Sequence, residues 1–178
     1  MKLGIFGGTF DPPHNGHVLT VSQLRRLVDN LLIIPTWKPK YKKCSLFSHR
    51  YEMCSLAFQD LEALMLPIDV THLEYKQKFH YTYQTINYLF NKYKEAFELV
   101  LFVGRDWKVE SFKNYNQFKD KCKIVRFPRP GYSSVNKDFP IQLKISSSEI
   151  RNQLKLQMPV NGLVPQKVLE YIKQNNLY

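Results

Sequence analysis

Long apolar stretches are missing: runs such as LVLFV at 99–103 fall far short of the ~20 residues that cross a bilayer. A mean hydropathy of −0.37 agrees with that. Met1–Lys2 leads straight into LGIFGG, without an apolar leader core or a small-residue cleavage site, so secretion is not expected. Cysteine is scarce, and Cys44, Cys54 and Cys122 are odd in number and widely spaced. They read as reduced thiols of a cytoplasmic protein, not as a disulfide framework or a zinc knuckle. Acidic residues are few, 15 against 26 Lys and Arg, which leaves a formal net charge of +11. That balance favours anionic partners, nucleic acid or phosphate-bearing small molecules. The basic residues are scattered, however, and a plain solvated surface accounts for them equally well. With 178 residues, 44% hydrophobic and 23% charged, the composition fits one globular domain over residues 1–178, with no repeat or linker to divide it.

Short apolar runs alternate with helix-period segments. KLGIF (2–6), LLIIP (31–35), IDVTHLE (68–74), LVLFVG (99–104), KIVRF (123–127) and IQLKI (141–145) predict strands. Helices are predicted over 17–28, from an N-cap at Ser48, over 82–97, 108–121, 147–157 and 166–175, the last with Pro165 in its first turn. Strict alternation predicts an α/β domain, doubly wound, with a mainly parallel sheet and helices on both faces. Such sheets bind ligands beyond the carboxyl ends of their strands. Residues 36–47, basic, aromatic and broken by Pro39, are expected to form a mobile loop.

Two segments carry chemistry. GGTFDPPHNGH (7–17) follows the first strand directly. Gly7 and Gly8 allow main-chain N–H groups to face an anion closely. His14 and His17 fall on one side of a helix start, with Gly16 leaving room for a ligand against the backbone. The helix N-terminus adds partial positive charge. Neither G-x-x-x-x-G-K-[ST] nor G-x-G-x-x-G is present, and the His pair lacks further ligands for zinc. Either histidine alone would be a helix-start hydrogen bonder; the whole segment suits a polyphosphate. The second segment is ISSSEIR (145–151). Ser146 and Glu149 form a capping-box pattern, which does not explain Arg151. A cation in a first helical turn opposes the dipole unless an anion sits there, to which Ser147 and Ser148 would also donate.

These two segments resemble the motifs of the H-x-G-H nucleotidyltransferase superfamily, whose second motif reads I-S-S-T-x-I-R; Ser148 stands where Thr is usual. Within it the chain is most similar to the bacterial nicotinate-nucleotide adenylyltransferases, from Lys2 to its last residue. Further similar pieces are KPKYKK (38–43), HRYEM (49–53), Tyr81–Thr82, VGRD (103–106), RPG (129–131) and VPQKVLEYIKQNNLY (164–178). The resemblance implies a Rossmann-like fold and adenylyl transfer from ATP to nicotinate mononucleotide, giving deamido-NAD and pyrophosphate, with Mg²⁺ carried by the nucleotide phosphates.

It also implies roles. His14, His17 and Arg151 would be the catalytic set on the triphosphate, with Gly7, Gly8, Thr9, Phe10, Ser147 and Ser148 completing the ATP site. Lys42, Tyr81, Thr82, Gly104, Asp106 and Tyr115 would meet the acceptor. Free N–H groups at a helix start near Tyr81–Thr82 favour a carboxylate over a carboxamide, although Thr82 serves equally as a plain N-cap. Where the family carries a Trp-Tyr pair this chain has Asn114 and Tyr115, and Trp107 is the nearest substitute for stacking. Nicotinamide mononucleotide and phosphopantetheine remain alternative acceptors, and a nucleic-acid-binding protein is the non-enzymatic alternative.

Overall fold

The computed structural model describes residues 1–40, 43–62, 67–132 and 135–178. Strands β1 (Lys2–Gly8), β2 (Asn30–Pro35), β3 (Ile68–Val70), β4 (Glu98–Gly104) and β5 (Lys123–Phe127) form one parallel sheet in the order β3-β2-β1-β4-β5. The register sets Gly8 opposite Pro35, Phe6 opposite Phe102 and Gly104 opposite Phe127, so the carboxyl ends share one edge. The chain works outward from β1 to β3 and then returns to the other side of β1. A crevice at the ends of β1 and β4 is therefore where such a sheet binds ligands.

Strands β1 and β4 are nearly continuous buried runs because both faces are covered. Leu3 and Ile5 of β1, with Leu99, Leu101 and Val103 of β4, pack with Ile86 and Leu89 of helix α4 (Thr82–Tyr93). Phe6, Val100 and Phe102 point the opposite way. They join Leu24 of α1 (Asn15–Leu24), Met53 and Phe58 of α2 (Phe47–Glu62), Ile150 of α5 (Ser147–Lys155) and Val168 of α6 (Gln166–Gln174). Alternation along a strand thus feeds two cores, each large side chain contributing about 1.5–3 kcal/mol on full burial. The short α3 (Leu73–Gln77) links β3 to α4. Among the described residues no helix is long and apolar enough to cross a membrane.

Several expectations need correction. IQLKI (141–145) forms no strand. The Gln23 amide takes both backbone groups of Ile141, accepting its N–H at 3.3 Å and donating to its carbonyl at 3.2 Å. A side chain of α1 so replaces a ladder partner, and the segment crosses α1 instead of extending the sheet. The helix expected over 108–121 is only two 3-10 turns, Val109–Ser111 and Tyr115–Gln117, separated where Asn114 adopts a left-handed φ of 55°. The strand expected to reach Glu74 stops at Val70, since α3 starts at Leu73. Helix α2 starts at Phe47, so Ser48 lies inside it, and Pro165 caps α6 instead of sitting in its first turn.

Candidate active site

Beyond Gly8 the backbone turns sharply: Phe10 takes a φ of 49°, and a Cβ on Gly8 would lie 2.9 Å from its ring. That ring, 3% exposed, goes into the core against Phe6 and Phe58 and meets the His17 ring edge-on at 5.0 Å. Phe10 therefore supports His17 from beneath. His14 caps α1 through Nδ1, which accepts the His17 N–H at 3.3 Å; His17 Nδ1 accepts the His14 N–H at 3.2 Å. The rings stack at 3.7 Å. Because each Nδ1 is an acceptor, each neutral imidazole carries its proton on Nε2. Burial, helped by the Arg129 charge, lowers the His14 pKa to about 4. His17 is held well below its usual value by burial, then by His14 and Arg129. Both rings are neutral at neutral pH, and both keep one N–H to offer. A Cβ on Gly16 would be 3.0 Å from the His14 ring, so the glycine makes room for His14.

The second segment docks onto the first. The Ser146 hydroxyl accepts the Glu149 N–H at 3.1 Å and so supplies the N-cap half of the expected capping box. Ser147 Oγ donates to the Pro12 carbonyl at 2.8 Å. Arg151 donates from Nη1 to the Asp11 carbonyl at 2.6 Å and from Nη2 to Ser148 Oγ at 3.3 Å. The Asp11 carboxylate, 3% exposed, lies 4.0 Å from Arg151 and accepts from the Tyr178 hydroxyl at 2.6 Å and the Ser45 N–H at 3.2 Å. Segments 140 residues apart in sequence are joined here. The Ser147 hydroxyl proton is committed to Pro12, so that side chain is a strut; exposed Ser148 keeps its own proton to donate.

Two arginines escaped the residue-by-residue reading, although HRYEM and RPG mark their places. Arg129 acts electrostatically on both histidines and lies 3.5 Å from Asp106. Gly104 lets Asp106 fold back, since a Cβ there would collide with the Asp106 carboxylate. Asp106 Oδ1, the atom that faces Arg129 Nε in this ion pair, is buried and has no hydrogen bond among the described residues. Arg50, 0% exposed, donates to the carbonyls of Thr9 at 2.8 Å, Trp37 at 2.9 Å and Ser45 at 3.0 Å.

At the start of α4 the N-cap is Tyr81, not Thr82, which is the first helical residue. Gln84 accepts the N–H groups of His80 at 2.9 Å and Tyr81 at 3.1 Å. Lys40 and Lys113 lie 4.5 and 4.4 Å from the Tyr81 ring centre. The hydrogen bond from Lys40, followed by those cations' other effects, lowers the Tyr81 phenol pKa. Tyr115 packs on Phe118 at 5.5 Å; Trp107 is 52% exposed with its ring edge-on to Phe112. Lys42 lies outside the described residues.

The cytidylyltransferase-like family model matches residues 5–153. The chain belongs to that family. A relative in Bacillus licheniformis is 35% identical over 190 residues, covering 99% of this chain and 98% of its own. The nicotinate-nucleotide adenylyltransferase of Bacillus subtilis is 30% identical over 191 residues, with the same coverage. The nicotinic acid mononucleotide adenylyltransferase of Plasmodium falciparum, solved in complex with NaAD, superposes with a TM-score of 0.83 over 99% of this chain and 97% of that one. At 19% identity this last likeness is one of fold. The cytidylyltransferase-like chain is thus a nucleotidyltransferase with a Rossmann-like α/β fold, as its motifs imply.

Proposed function

We propose that the protein transfers the adenylyl group of ATP to nicotinate mononucleotide, giving deamido-NAD and pyrophosphate in NAD biosynthesis. The observation that carries this reading is the junction of Asp11 and Pro12 with Ser147 and Arg151, which docks the second segment onto the stretch of chain that carries the two stacked Nε2–H imidazoles. The acceptor's 5′-phosphate, with a second pKa of ~6, is already nucleophilic near neutrality. One of its oxygens bonds to the α-phosphorus while the bond from that phosphorus to the bridging oxygen breaks, and pyrophosphate leaves with the electron pair. No protein nucleophile is needed, so catalysis is alignment plus charge stabilisation.

In this reading His14 and His17 donate from Nε2 to the triphosphate, and negative charge raises both pKa values and strengthens them as donors. Arg151 has five N–H donors, of which its bonds to Asp11 and Ser148 use two. Gly7, Gly8 and the main chain of Thr9 and Phe10 floor the cradle, with Ser148 donating beside Arg151. Buried Asp106 Oδ1 suits a ribose hydroxyl, and Tyr81, Thr82, Gly104 and Tyr115 bound the acceptor side. Lys42 is assigned there on its motif. The donor set is N–H groups and cations, and the Asp11 carboxylate is already engaged by protein donors. Mg²⁺ therefore fits here as a companion of the phosphates, held by their oxygens and water. The whole chain serves as one cytoplasmic domain in this reading.

The test is pyrophosphate release with ATP, Mg²⁺ and each of nicotinate mononucleotide, nicotinamide mononucleotide and phosphopantetheine. The acid should be turned over fastest. A clear preference for phosphopantetheine, or salt-sensitive RNA binding with no release, would remove the proposal.

A further inference from the structure

Trp37 follows β2 and belongs to neither phosphate-binding segment, yet its backbone N–H and C=O are each held by a buried ionisable side chain. Arg50 of α2 donates to its carbonyl at 2.9 Å. Glu74 of α3, 9% exposed, accepts its N–H on Oε2 at 3.3 Å and the Thr85 hydroxyl on Oε1 at 2.8 Å. Burial lifts the Glu74 carboxyl to about 7, against those two hydrogen bonds and the Arg50 charge. Burying two ionisable groups is costly. Spending them on one loop peptide fixes where its side chain stands.

The half-buried indole lies 4.7 Å from the His80 ring, one residue before the Tyr81 cap of α4. Lys78 and Lys38 stand 4.7 and 5.2 Å from its ring centre. The same Arg50 guanidinium holds the Thr9 carbonyl of the phosphate loop, so the planar fork ties the indole's place to the cradle.

We propose that Trp37 is a specificity-determining residue for the acceptor, its indole forming the wall on which the pyridinium ring stacks, with Arg50 and Glu74 as positioning residues. The proposal rests on the adenylyl-transfer reading above. An N-alkylated pyridine is a flat, electron-poor cation and an indole is the best side-chain face for one. The Lys38 and Lys78 ammonium groups, which lie over the indole in the free protein, give way to the pyridinium on binding and offer its carboxylate a partner that a carboxamide would not use.

The chain has two tryptophans, which makes the assignment readable by fluorescence. Titrating nicotinate mononucleotide should give saturable quenching that survives Trp107→Phe and disappears in Trp37→Phe. The reverse pattern overturns the proposal. In steady-state kinetics Trp37→Ala should raise the KM for the mononucleotide about tenfold, the order expected of one aromatic stack. The KM for ATP should stay within about twofold, and Trp37→Phe should recover most of the loss. Glu74→Gln keeps an oxygen for the Trp37 N–H without the charge and should move the same KM less. Equal shifts for both substrates, or an unchanged mononucleotide KM in folded variants, overturn it. A wild type that neither binds nor adenylylates the mononucleotide removes the underlying reading and the proposal with it. An active wild type with an indifferent Trp37→Ala removes the proposal alone.

Discussion

In the phosphate cradle the polar groups hold one another: His14 and His17 exchange backbone bonds, Asp11 gathers three donors, and Arg151 is already aimed. On the proposed acceptor side Arg50 and Glu74 fix only the backbone of Trp37, and the remaining charges are exposed lysines, among them Lys40 and Lys113 resting on the Tyr81 ring. The first region has its geometry fixed by folding. The second leaves long side chains to be ordered when the ligand arrives, at a cost of ~0.5–1.5 kcal/mol each. That division suits the chemistry, because charge developing on phosphorus needs fixed donors, whereas a flat ring tolerates adjustable neighbours.

The sharpest way to break the comparison is at Arg50, where the two regions are tied together. Arg50→Met keeps bulk but abandons the carbonyls of Thr9, Trp37 and Ser45. Loss of those charge-assisted bonds should lower stability by about 3–5 kcal/mol, read from urea denaturation. Arg50→Lys, which can serve one or two of the three, should fall between. A loss under about 1 kcal/mol would mean that the loops hold their places without this guanidinium.

The same contrast decides what could be read from sequence. Strands β1 and β4 are legible because burial on both faces leaves unbroken apolar runs, and the cradle is legible because its donors lie in two short segments. IQLKI misleads because its alternation fits a strand while the Gln23 amide, 118 residues away, takes the bonds a strand would have used. The helical pattern of 108–121 fails at Asn114, whose left-handed turn no periodicity reveals. Arg50, Glu74 and Trp37 meet through backbone groups of distant loops. Residue type and spacing carry no sign of such meetings.

Acid should expose the fixed character of the cradle. Its folded pKa of about 4 puts His14 below the ~6.5 of an unfolded histidine. The unfolded chain therefore binds more protons between those values. Stability from the neutral, bonded ring is complete above pH ~6.5 and is lost as pH falls toward 4, by an amount on the order of 3 kcal/mol. Glu74 works in the opposite sense, its carboxyl being favoured protonated as pH falls through about 7. The comparison is therefore with His14→Asn, which keeps a capping side chain but does not titrate. Wild type should lose its advantage over that variant between pH 6.5 and 4.5, and parallel curves would contradict a neutral buried His14.

His17→Ala probes the cradle at its smallest scale. It removes one Nε2–H and the acceptor for the His14 N–H, while leaving Arg151, Asp11 and the core in place. The fold should lose about 1 kcal/mol. Turnover should fall at least about tenfold, equivalent to ~1.4 kcal/mol of transition-state stabilisation. The deficit belongs in kcat, because the donor matters most as charge builds on the leaving pyrophosphate. An unchanged kcat with a raised KM for ATP would make His17 a ground-state contact, and the cradle would then differ from the acceptor side in rigidity but not in catalytic role.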